Sequence, residues 1–447
     1  MSRERGERSG HAVPPYDSKR IKPVSYGRND VRSTRIWAQL LGVAGTTIEK
    51  VELTDERELV VAVRPHRRQR GRCGVCGRRS PGYDAGDGRR RWRALDLGST
   101  PTHLEAEAPR VACKAHGVVV AQVPWADQGA RFTRSFDDQV AWLAVECSQT
   151  AVSELMRIAW RSVGSVLTRV SRRLEQGQDR LAGLHRIGID EISWRRGQRY
   201  LIVVVDHDSD RLVWAVPGRD EATLERFFEQ LGEGRCRQIT YVSADAASWI
   251  SNVVRRRCPN AVRCLDAYHT VAWATEALDE VRRAVWNEAR RGNRRDQAVA
   301  LKGARWALWK NGDNLSPSQR GKLAWVQRVN KPLYQAYLIK EHMRLLFQLP
   351  FDDAIDLLIE WLQWAFDSPL EPIVRLACQI ADHLDELLNT LRHNLSNARV
   401  EGLNTRIRLI ARRAFGFHSA EALIALAMLA LGAFQPSLPG RQAAAIG

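Results

Sequence analysis

RIGIDEISWRRGQRYLIVVVDHDSDRLVWAVPGRD, residues 186–220, is the stretch that decides the fold. Its apolar runs are residues 187–189, 200–205 and 212–216, and its polar turns are residues 195–198 and 207–210. Because β-branched and aromatic side chains favour a pleated strand and turn-forming residues interrupt it, the pattern predicts three consecutive antiparallel strands. The first run ends at Asp190, so we expect a carboxylate at the end of the first strand.

The pattern of an apolar strand that ends on an acid continues downstream. Residues 238–243, QITYVS, predict a fourth strand followed by Asp245, and residues 260–265 predict a fifth followed by Asp266 and His269. Acids at the ends of neighbouring strands are typical of a shared divalent-metal site, because Mg²⁺ is usually held by one or two carboxylates and substrate phosphates. Each acid is also typical of a turn or a helix N-cap, and that alternative stays open for Asp190 and Asp245 taken singly and for Asp266 with His269.

Length and charge indicate the class of protein. The chain has 447 residues, which predicts two to four domains, and its net charge of +17 favours a polyanion as the partner. The preference for Arg over Lys has a plain alternative in genomic base composition. Eight cysteines are too few for a secreted disulfide framework, no signal peptide opens the sequence, and the longest apolar run, 422–434, is too short to span a membrane. We therefore expect a cytoplasmic protein without a membrane segment.

A metal-binding motif precedes the core. Cys73 and Cys76 form a CxxC knuckle, and Cys113 and His116 form a CxxH after the strand-like residues 104–112. Another strand-like stretch covers residues 51–63. Four such ligands at this spacing predict a closed tetrahedral zinc site with a structural role. The alternative is a redox CxxC beside an ordinary buried thiol, but no thioredoxin-like pattern surrounds it.

Helical periodicity takes over between residues 133 and 173. Two short helices joined by a tight turn at residues 160–162 predict a helix-turn-helix whose second helix enters a DNA major groove. The basic and polar residues proposed to contact DNA are Arg161, Ser162, Ser165, Arg169 and Arg172. Any three-helix bundle shares this pattern, and the basic outer face favours the DNA interpretation.

Residues 270–392 are helical throughout and rich in Arg and Trp, which predicts an all-α insertion. After it, residues 394–408 predict a helix with Glu401 near its middle and with Arg406 on a basic surface that contacts DNA. An acid among so many arginines is also typical of an ion-pair partner. We nonetheless predict that Glu401 is a third metal-facing carboxylate.

Together these features resemble the zinc-ribbon DDE transposases of bacterial insertion sequences, specifically the IS-L-three family. The motifs that carry the resemblance are the Cys73/Cys76 knuckle, RVACKAHG (110–117), VPWA (123–126), IGIDE (187–191), GRD (218–220), SADAAS (243–248), LDAYH (265–269), and SNARVEGLNTRIR with RRAFGF up to residue 417. The resemblance implies Asp190, Asp245 and Glu401 as the catalytic triad and Asp266 with His269 as an accessory pair. His116 stands where the family often has Cys, Ala398 replaces a frequent Gly, and 266–269 differs from the usual DRFH, but no triad acid is lost.

The expected fold is a multidomain α+β chain whose core is a ribonuclease-H-like α/β domain. The expected parts are a disordered basic arm (1–33), a zinc-ribbon domain (34–130), the helix-turn-helix (131–180), the first part of the core (181–270), the all-α insertion (271–392) and the C-terminal core helices (393–447).

The activity that follows is transposition. Mg²⁺ or Mn²⁺ at the triad would support cleavage of DNA and attack of a 3′-hydroxyl on target DNA. The zinc ribbon and the helix-turn-helix would bind the terminal inverted repeats, and a homodimer would pair two ends in a bacterial, nucleoid-associated complex. The alternatives are a sequence-specific DNA-binding regulator with an inactive nuclease core, and a structure-selective nuclease. Glu191 instead of Asp190 as the ligand also stays open, because neighbours on a strand point to opposite faces.

Overall fold

The computed structural model describes residues 31–441 apart from 196, 198, 396, 397 and 415, and it leaves out the side chains of 31–35, 398 and 399. The chain divides into two compact units, residues 1–139 with 438–447 and residues 140–437, which we describe separately. The predicted basic arm lies outside the described residues, except that residues 31–33 belong to the first helix.

The first unit contains two small sheets. Its elements are α1 (Val31–Leu40), β1 (Thr46–Leu53), β2 (Leu59–Pro65), β3 (Gly82–Asp84), β4 (Arg89–Leu97), β5 (Thr100–Glu107), β6 (Arg110–Cys113), β7 (Gly117–Val120) and the start of α2 (Arg134–Glu146). One sheet has the order β1-β2-β5-β4 and the other β3-β6-β7. Trp92 and Trp125 pack edge to face, with ring centroids 5.5 Å apart, in the core of this unit.

Two stretches predicted as single strands are each two strands. Residues 51–63 contain a turn in which the Thr54 amide donates to the Glu58 carbonyl at 2.9 Å, so β1 ends and β2 begins around it. Residues 104–112 are interrupted at Pro109, which has no amide hydrogen to donate to a ladder.

The second unit begins with the helices that follow α2 and continues into a five-stranded sheet. Its first elements are α3 (Gln149–Met156), α4 (Trp160–Glu175), β8 (Arg186–Arg195), β9 (Arg199–Asp206), β10 (Arg211–Pro217), α5 (Glu221–Leu231), α6 (Glu233–Cys236), β11 (Tyr241–Ala244), α7 (Ser248–Arg257) and β12 (Val262–Leu265). The strand order is β10-β9-β8-β11-β12. The three antiparallel strands predicted from residues 186–220 are confirmed, and β11 and β12 join them in parallel.

One prediction about β8 is wrong. Asp190 lies in the middle of this strand and not at its end, because the hairpin with β9 continues to Arg195. The parallel pairing with β11 nevertheless stops at Gly188, so Asp190 is just beyond the part of β8 that has neighbours on both sides. Ile187 and Ile189 point to the opposite face and pack with α5 and α7.

The rest of the second unit is helical. Its elements are α8 (Ala267–Arg291), α9 (Arg295–Gly303), α10 (Arg305–Trp309), α11 (Pro317–Val329), α12 (Lys331–Leu346), α13 (Phe351–Phe366), α14 (Glu371–Asp382), α15 (Leu384–His393), α16 (Ala398–Arg413) and α17 (Ala420–Leu431). The helix predicted at 394–408 begins at Ala398, and two residues before it lie outside the described part. α17 contacts α4 and β10, and its Ala422 lies where a Cβ added to Gly164 of α4 would be only 3.2 Å away.

Candidate active site

Three acids stand in one row across the parallel strands. Asp245 and Asp266 follow β11 and β12 directly, and they are level with each other because the last residues of the two strands, Ala244 and Leu265, are paired. The register between β8 and β11, continued by two residues, places Asp190 alongside Asp245. Neighbouring side chains on a strand point to opposite faces, and Ile189, next to Asp190, packs with α5 and α7. The row of acids therefore lies on the face away from these two helices.

α16 covers this face and adds the fourth acid. Gly188 makes room for the helix, because a Cβ at this position would be 2.3 Å from Val400 Cγ2. One turn further along, the Asn404 side-chain amide donates a hydrogen bond to Asp190 Oδ2. Glu401 lies three residues before Asn404 and therefore on the same side of the helix. The contact that holds Asp190 thus also brings Glu401 to the row.

Asp266 and His269 satisfy both interpretations left open by the sequence. Asp266 is the N-cap of α8, since its Oδ1 accepts from the Tyr268 amide at 3.0 Å. Its Oδ2 is 2.7 Å from His269 Nδ1. This hydrogen bond, opposed by burial and helped by the charges of nearby aspartates, raises the pKa of His269 to about 9. At neutral pH an imidazolium therefore lies among the carboxylates.

Two acids of the site have raised pKa values. Burial raises the pKa of Asp190 to about 6, opposed by the Glu191 amide and by His269, and the charges of Asp266 and Asp245 raise it further. Burial and the charge of Asp266 also raise the pKa of Glu401, whereas the charges of Arg408 and His269 lower it. Among the residues the structure describes, no Arg or Lys forms an ion pair with Asp190, Asp245 or Glu401. These acids are therefore not neutralised by direct contact with arginine.

Glu191 has a different environment from its neighbour. Its carboxylate forms an ion pair with Arg219, whose guanidinium lies 4.6 Å from the centre of the Tyr200 ring. Burial raises its pKa, and Arg219 acts against this. A carboxylate already neutralised by Arg is a weaker candidate for a metal ligand than Asp190. This geometry favours Asp190 at the position that the sequence left open.

Two residues of the site are missed by reasoning from the sequence. Asn404 is 1% exposed, and its Oδ1 has no hydrogen-bond partner among the residues that the structure describes. Arg263 of β12 is partly exposed, but burial around its guanidinium lowers its pKa, and it donates to the carbonyls of Ala244, at 3.2 Å, and of Asp245. Arg263 therefore fixes the backbone that presents Asp245. The spacing of Asn404 from Glu401 is a usable signal, whereas nothing local marks Arg263.

The four predicted zinc ligands come together in the first unit. Their ligand atoms all lie within 4.8 Å of one another. The Cys76 and Cys113 sulfurs are 3.8 Å apart, and His116 Nδ1 is 3.7 Å from Cys73 Sγ and 3.6 Å from Cys113 Sγ. A tetrahedral zinc with bonds of roughly 2.3 Å to sulfur and 2.0 Å to nitrogen has edges of about 3.8 Å and 3.6 Å. The residues thus occupy the corners of a structural zinc site.

Backbone hydrogen bonds hold the first two ligands, Cys73 and Cys76, in a tight turn. The Cys73 amide donates to the Arg78 carbonyl at 2.8 Å, and the Gly77 amide donates to the Cys73 carbonyl at 2.9 Å, which closes a tight knuckle. The hydrogen bond with His116 lowers the pKa of Cys113 to about 6, which favours the thiolate that zinc requires. With four protein ligands the site has no open position for catalysis.

The helix-turn-helix is built from α3, a tight turn and α4. The turn contains Arg157 in the left-handed region, with φ of 53°, and the Ser153 hydroxyl donates to the Ile158 carbonyl at 2.6 Å. α4 buries its apolar face, made of Val163, Val166, Leu167 and Val170.

The predicted DNA contacts lie mostly at the surface. Arg161, Ser165 and Arg172 of α4 and Arg406 of α16 are exposed, whereas Ser162 and Arg169 are partly buried. The Ser165 hydroxyl donates to the Ser162 carbonyl at 2.8 Å.

Comparisons with known proteins agree across the chain. Three family models match: one described as a transposase over residues 187–427, one described as the helix-turn-helix domain of transposase family ISL3 over residues 121–171, and one described as the zinc-finger of transposase IS204/IS1001/IS1096/IS1165 over residues 69–116. In the residues described, no helix is long and apolar enough to cross a bilayer.

Curated relatives match over most of their length. A transposase for insertion sequence element IS1557 from Mycobacterium tuberculosis is 50% identical over 436 residues, which cover 92% of this chain and 98% of the relative. A transposase for insertion sequence element IS1001 from Bordetella parapertussis is 27% identical over 393 residues, which cover 87% of this chain and 95% of the relative.

Proposed function

Because the chain belongs to the ISL3 family of transposases, we propose that it binds the terminal inverted repeats of an insertion sequence and catalyses cleavage and strand transfer there with a divalent cation. The observation that carries the proposal is the group of acids on the sheet and on α16, partly buried and, among the described residues, without an ion pair to arginine. Burial raises the pKa of Asp190 and of Glu401, and a bound cation would stabilise their charged forms. Their donor set, carboxylate oxygens with one unpaired amide oxygen, suits Mg²⁺ or Mn²⁺.

Asp190, Asp245 and Glu401 are the residues that would hold the cation. When bound, it would supply a nucleophile at neutral pH and stabilise charge on the phosphodiester. Asn404 orients Asp190 by donating to one of its oxygens, and Arg263 fixes the backbone of Asp245.

Asp266 and His269 have a separate role. The buried Asp266 keeps His269 protonated, so the imidazolium is available to donate a hydrogen bond to a DNA phosphate beside the acids.

The wider architecture supports the same proposal. An acid on the first strand of a five-stranded sheet, a second directly after the neighbouring strand and a third on a later helix are the expected arrangement of a ribonuclease-H-like core, and we propose that residues 271–392 are an insertion into it. The zinc ribbon and α4, with Arg406 of α16, would contact the inverted repeat. Pairing two ends requires a homodimer in the active complex, which we expect to form on DNA in the bacterial cytoplasm.

The test uses labelled duplexes that carry the terminal repeats bordering the gene, a target plasmid and Mg²⁺. Joined products support a transposase, cut products without joining support a structure-selective nuclease, and a shifted band alone supports a DNA-binding regulator. Asp245→Asn should abolish cutting and joining without changing the affinity for end DNA. Asp208→Asn, at an exposed acid paired with Arg186, is the matched control and should leave both reactions intact. Cleavage by Asp245→Asn would refute the assignment of the acid row.

A further inference from the structure

Charge is segregated within the helical region of the second unit. Residues 290–310 contain seven Arg and Lys residues and one Asp, a net charge of +6, whereas residues 345–374 contain six acids and no Arg or Lys. A general preference for Arg in the genome does not explain one basic and one acidic segment in the same set of helices. The basic segment therefore requires a local reason.

Three of the exposed cations of this segment, at the end of α8 and on α9, are called the α9 strip: Arg291, Arg295 and Lys302. Arg295 and Lys302 are seven residues apart on α9, and Val299, which is 66% exposed, lies between them. Arg295, Val299 and Lys302 therefore lie on one face of α9. Arg291 is exposed at the end of α8. Unlike Arg294, which pairs with Glu288 at 2.9 Å, none of the three cations has an ion pair within the described ranges.

The end of α8, where the strip begins, lies at a defined distance from the acid row. α8 begins one residue after Asp266 and ends at Arg291, and its 25 residues span about 37 Å at 1.5 Å per residue. One turn of B-form DNA is about 34–36 Å long. A duplex that contacts the acid row and runs along α8 therefore reaches Arg291 and the start of α9 about one helical turn away.

The strip also lies on a defined side of the acids. α17, which packs against α4, contacts β10 at one edge of the sheet, whereas α8 follows β12 at the other edge. Asp190 lies on β8 and Asp245 directly follows β11, and these two strands are between the edges of the sheet. If α4 reads the repeat on one side of the cleavage position, DNA on the other side is the flanking DNA outside the element.

We propose that the α9 strip binds the backbone phosphates of flanking duplex DNA about one helical turn from the phosphodiester that is cleaved. The proposal rests on the proposed function for the position of the cut. Exposed cations without acidic partners favour a polyanion because phosphate contacts release condensed counterions.

The experiment measures binding of fluorescent end duplexes with about 4 or about 16 base pairs of flanking DNA, with the zinc-loaded protein in a buffer without added Mg²⁺ or Mn²⁺. The wild type should bind the longer duplex about tenfold more tightly at roughly 100 mM salt, and the triple variant Arg291→Gln/Arg295→Gln/Lys302→Gln should bind both equally. Each lost phosphate contact should reduce the slope of log K against log salt by about 0.9, or by about 2–3 in total.

A second triple variant controls for net charge. Arg235→Gln/Arg256→Gln/Arg375→Gln removes the same charge from exposed cations that already have acidic partners, and it should retain the preference for the longer duplex. Equal loss in both variants, or no length preference in the wild type, would overturn the proposal. Cleavage of the end duplex by the wild type in Mg²⁺ tests the proposed function separately, because the length preference is measured without added Mg²⁺ or Mn²⁺.

Discussion

Replacing Asp190 by Asn should stabilise the cation-free protein at neutral pH while abolishing its activity. The pKa of Asp190 is raised to about 6 from 3.8, so the folded state holds a proton that the unfolded state has released. A raised carboxyl pKa destabilises the fold as pH increases from about 4 to 6, by about 3 kcal/mol at pH 7 for about two pKa units. The amide side chain carries no charge and avoids this cost.

The hydrogen bonds of the site can survive the substitution. The Glu191 amide, 2.7 Å from Oδ1 of Asp190, keeps its acceptor in Asp190→Asn. The new side-chain NH₂ would face Asn404, whose unpaired Oδ1 can accept from it after a flip of the amide. His269 loses one of the charges that raise its pKa, which offsets part of the gain. We expect a net stabilisation of about 1–3 kcal/mol at about pH 7.5.

The assay is thermal unfolding of zinc-loaded wild type and Asp190→Asn, without added Mg²⁺ or Mn²⁺, at about pH 4.5 and about pH 7.5. The variant should melt a few degrees higher than the wild type at the higher pH, and the difference should shrink at the lower pH, where both states of the wild type bind more protons. Addition of Mn²⁺ should raise the Tm of the wild type more than that of the variant. A variant that is less stable than the wild type at the higher pH, or a difference that does not depend on pH, would refute the reasoning.

Three further predictions test the neighbouring contacts. Gly188→Ala should destabilise the second unit by about 1–3 kcal/mol, because its Cβ would be 2.3 Å from Val400 Cγ2 and 2.8 Å from His207 Nε2, and adding Val400→Ala should restore part of the Tm. Asn404→Asp should make stability without added Mg²⁺ or Mn²⁺ fall more steeply between about pH 5 and pH 8 than in the wild type, because two carboxylates within hydrogen-bond reach cannot both ionise; Asn404→Leu, denatured in parallel, should lack the extra slope. His116→Cys should keep one zinc per chain in a chelator competition while His116→Ala weakens zinc binding at least about tenfold, and equal retention by both variants would exclude His116 as a ligand.

The sequence predicts the local parts of the site better than their assembly. The strands of residues 186–220 follow from alternating apolar residues and turns, and the zinc ligands follow from spacing alone. The sequence pattern places Asp190 at a strand end because the apolar run stops there, whereas hydrogen bonds to β9 extend the strand to Arg195. Arg263 could not be predicted, because its partners are backbone carbonyls of another strand.

Contacts between distant parts of the chain explain why the sequence does not predict how α16 meets the sheet. Asn404 and Asp190 are 214 residues apart in sequence, and the packing of α16 on β8, with Val400 against Gly188, brings them together. The helical spacing of Glu401 and Asn404 marks them as neighbours but does not indicate which strand they face. The resemblance to a family indicates that Glu401 faces Asp190 and Asp245. The register of β8 with β11 and the packing of α16 on β8 give this pairing a physical basis.

The position of α17 has a consequence for the protein while it is being made. Residues 420–431 cover both α4 and β10, and they leave the ribosome long after both of these elements. Until they emerge, a nascent chain exposes the apolar face of α4, and its sheet lacks a covering helix at one edge. The helix proposed to read DNA therefore lacks this support until translation has passed residue 431, so a product terminated before α17 should be a poor competitor for the ends of the element.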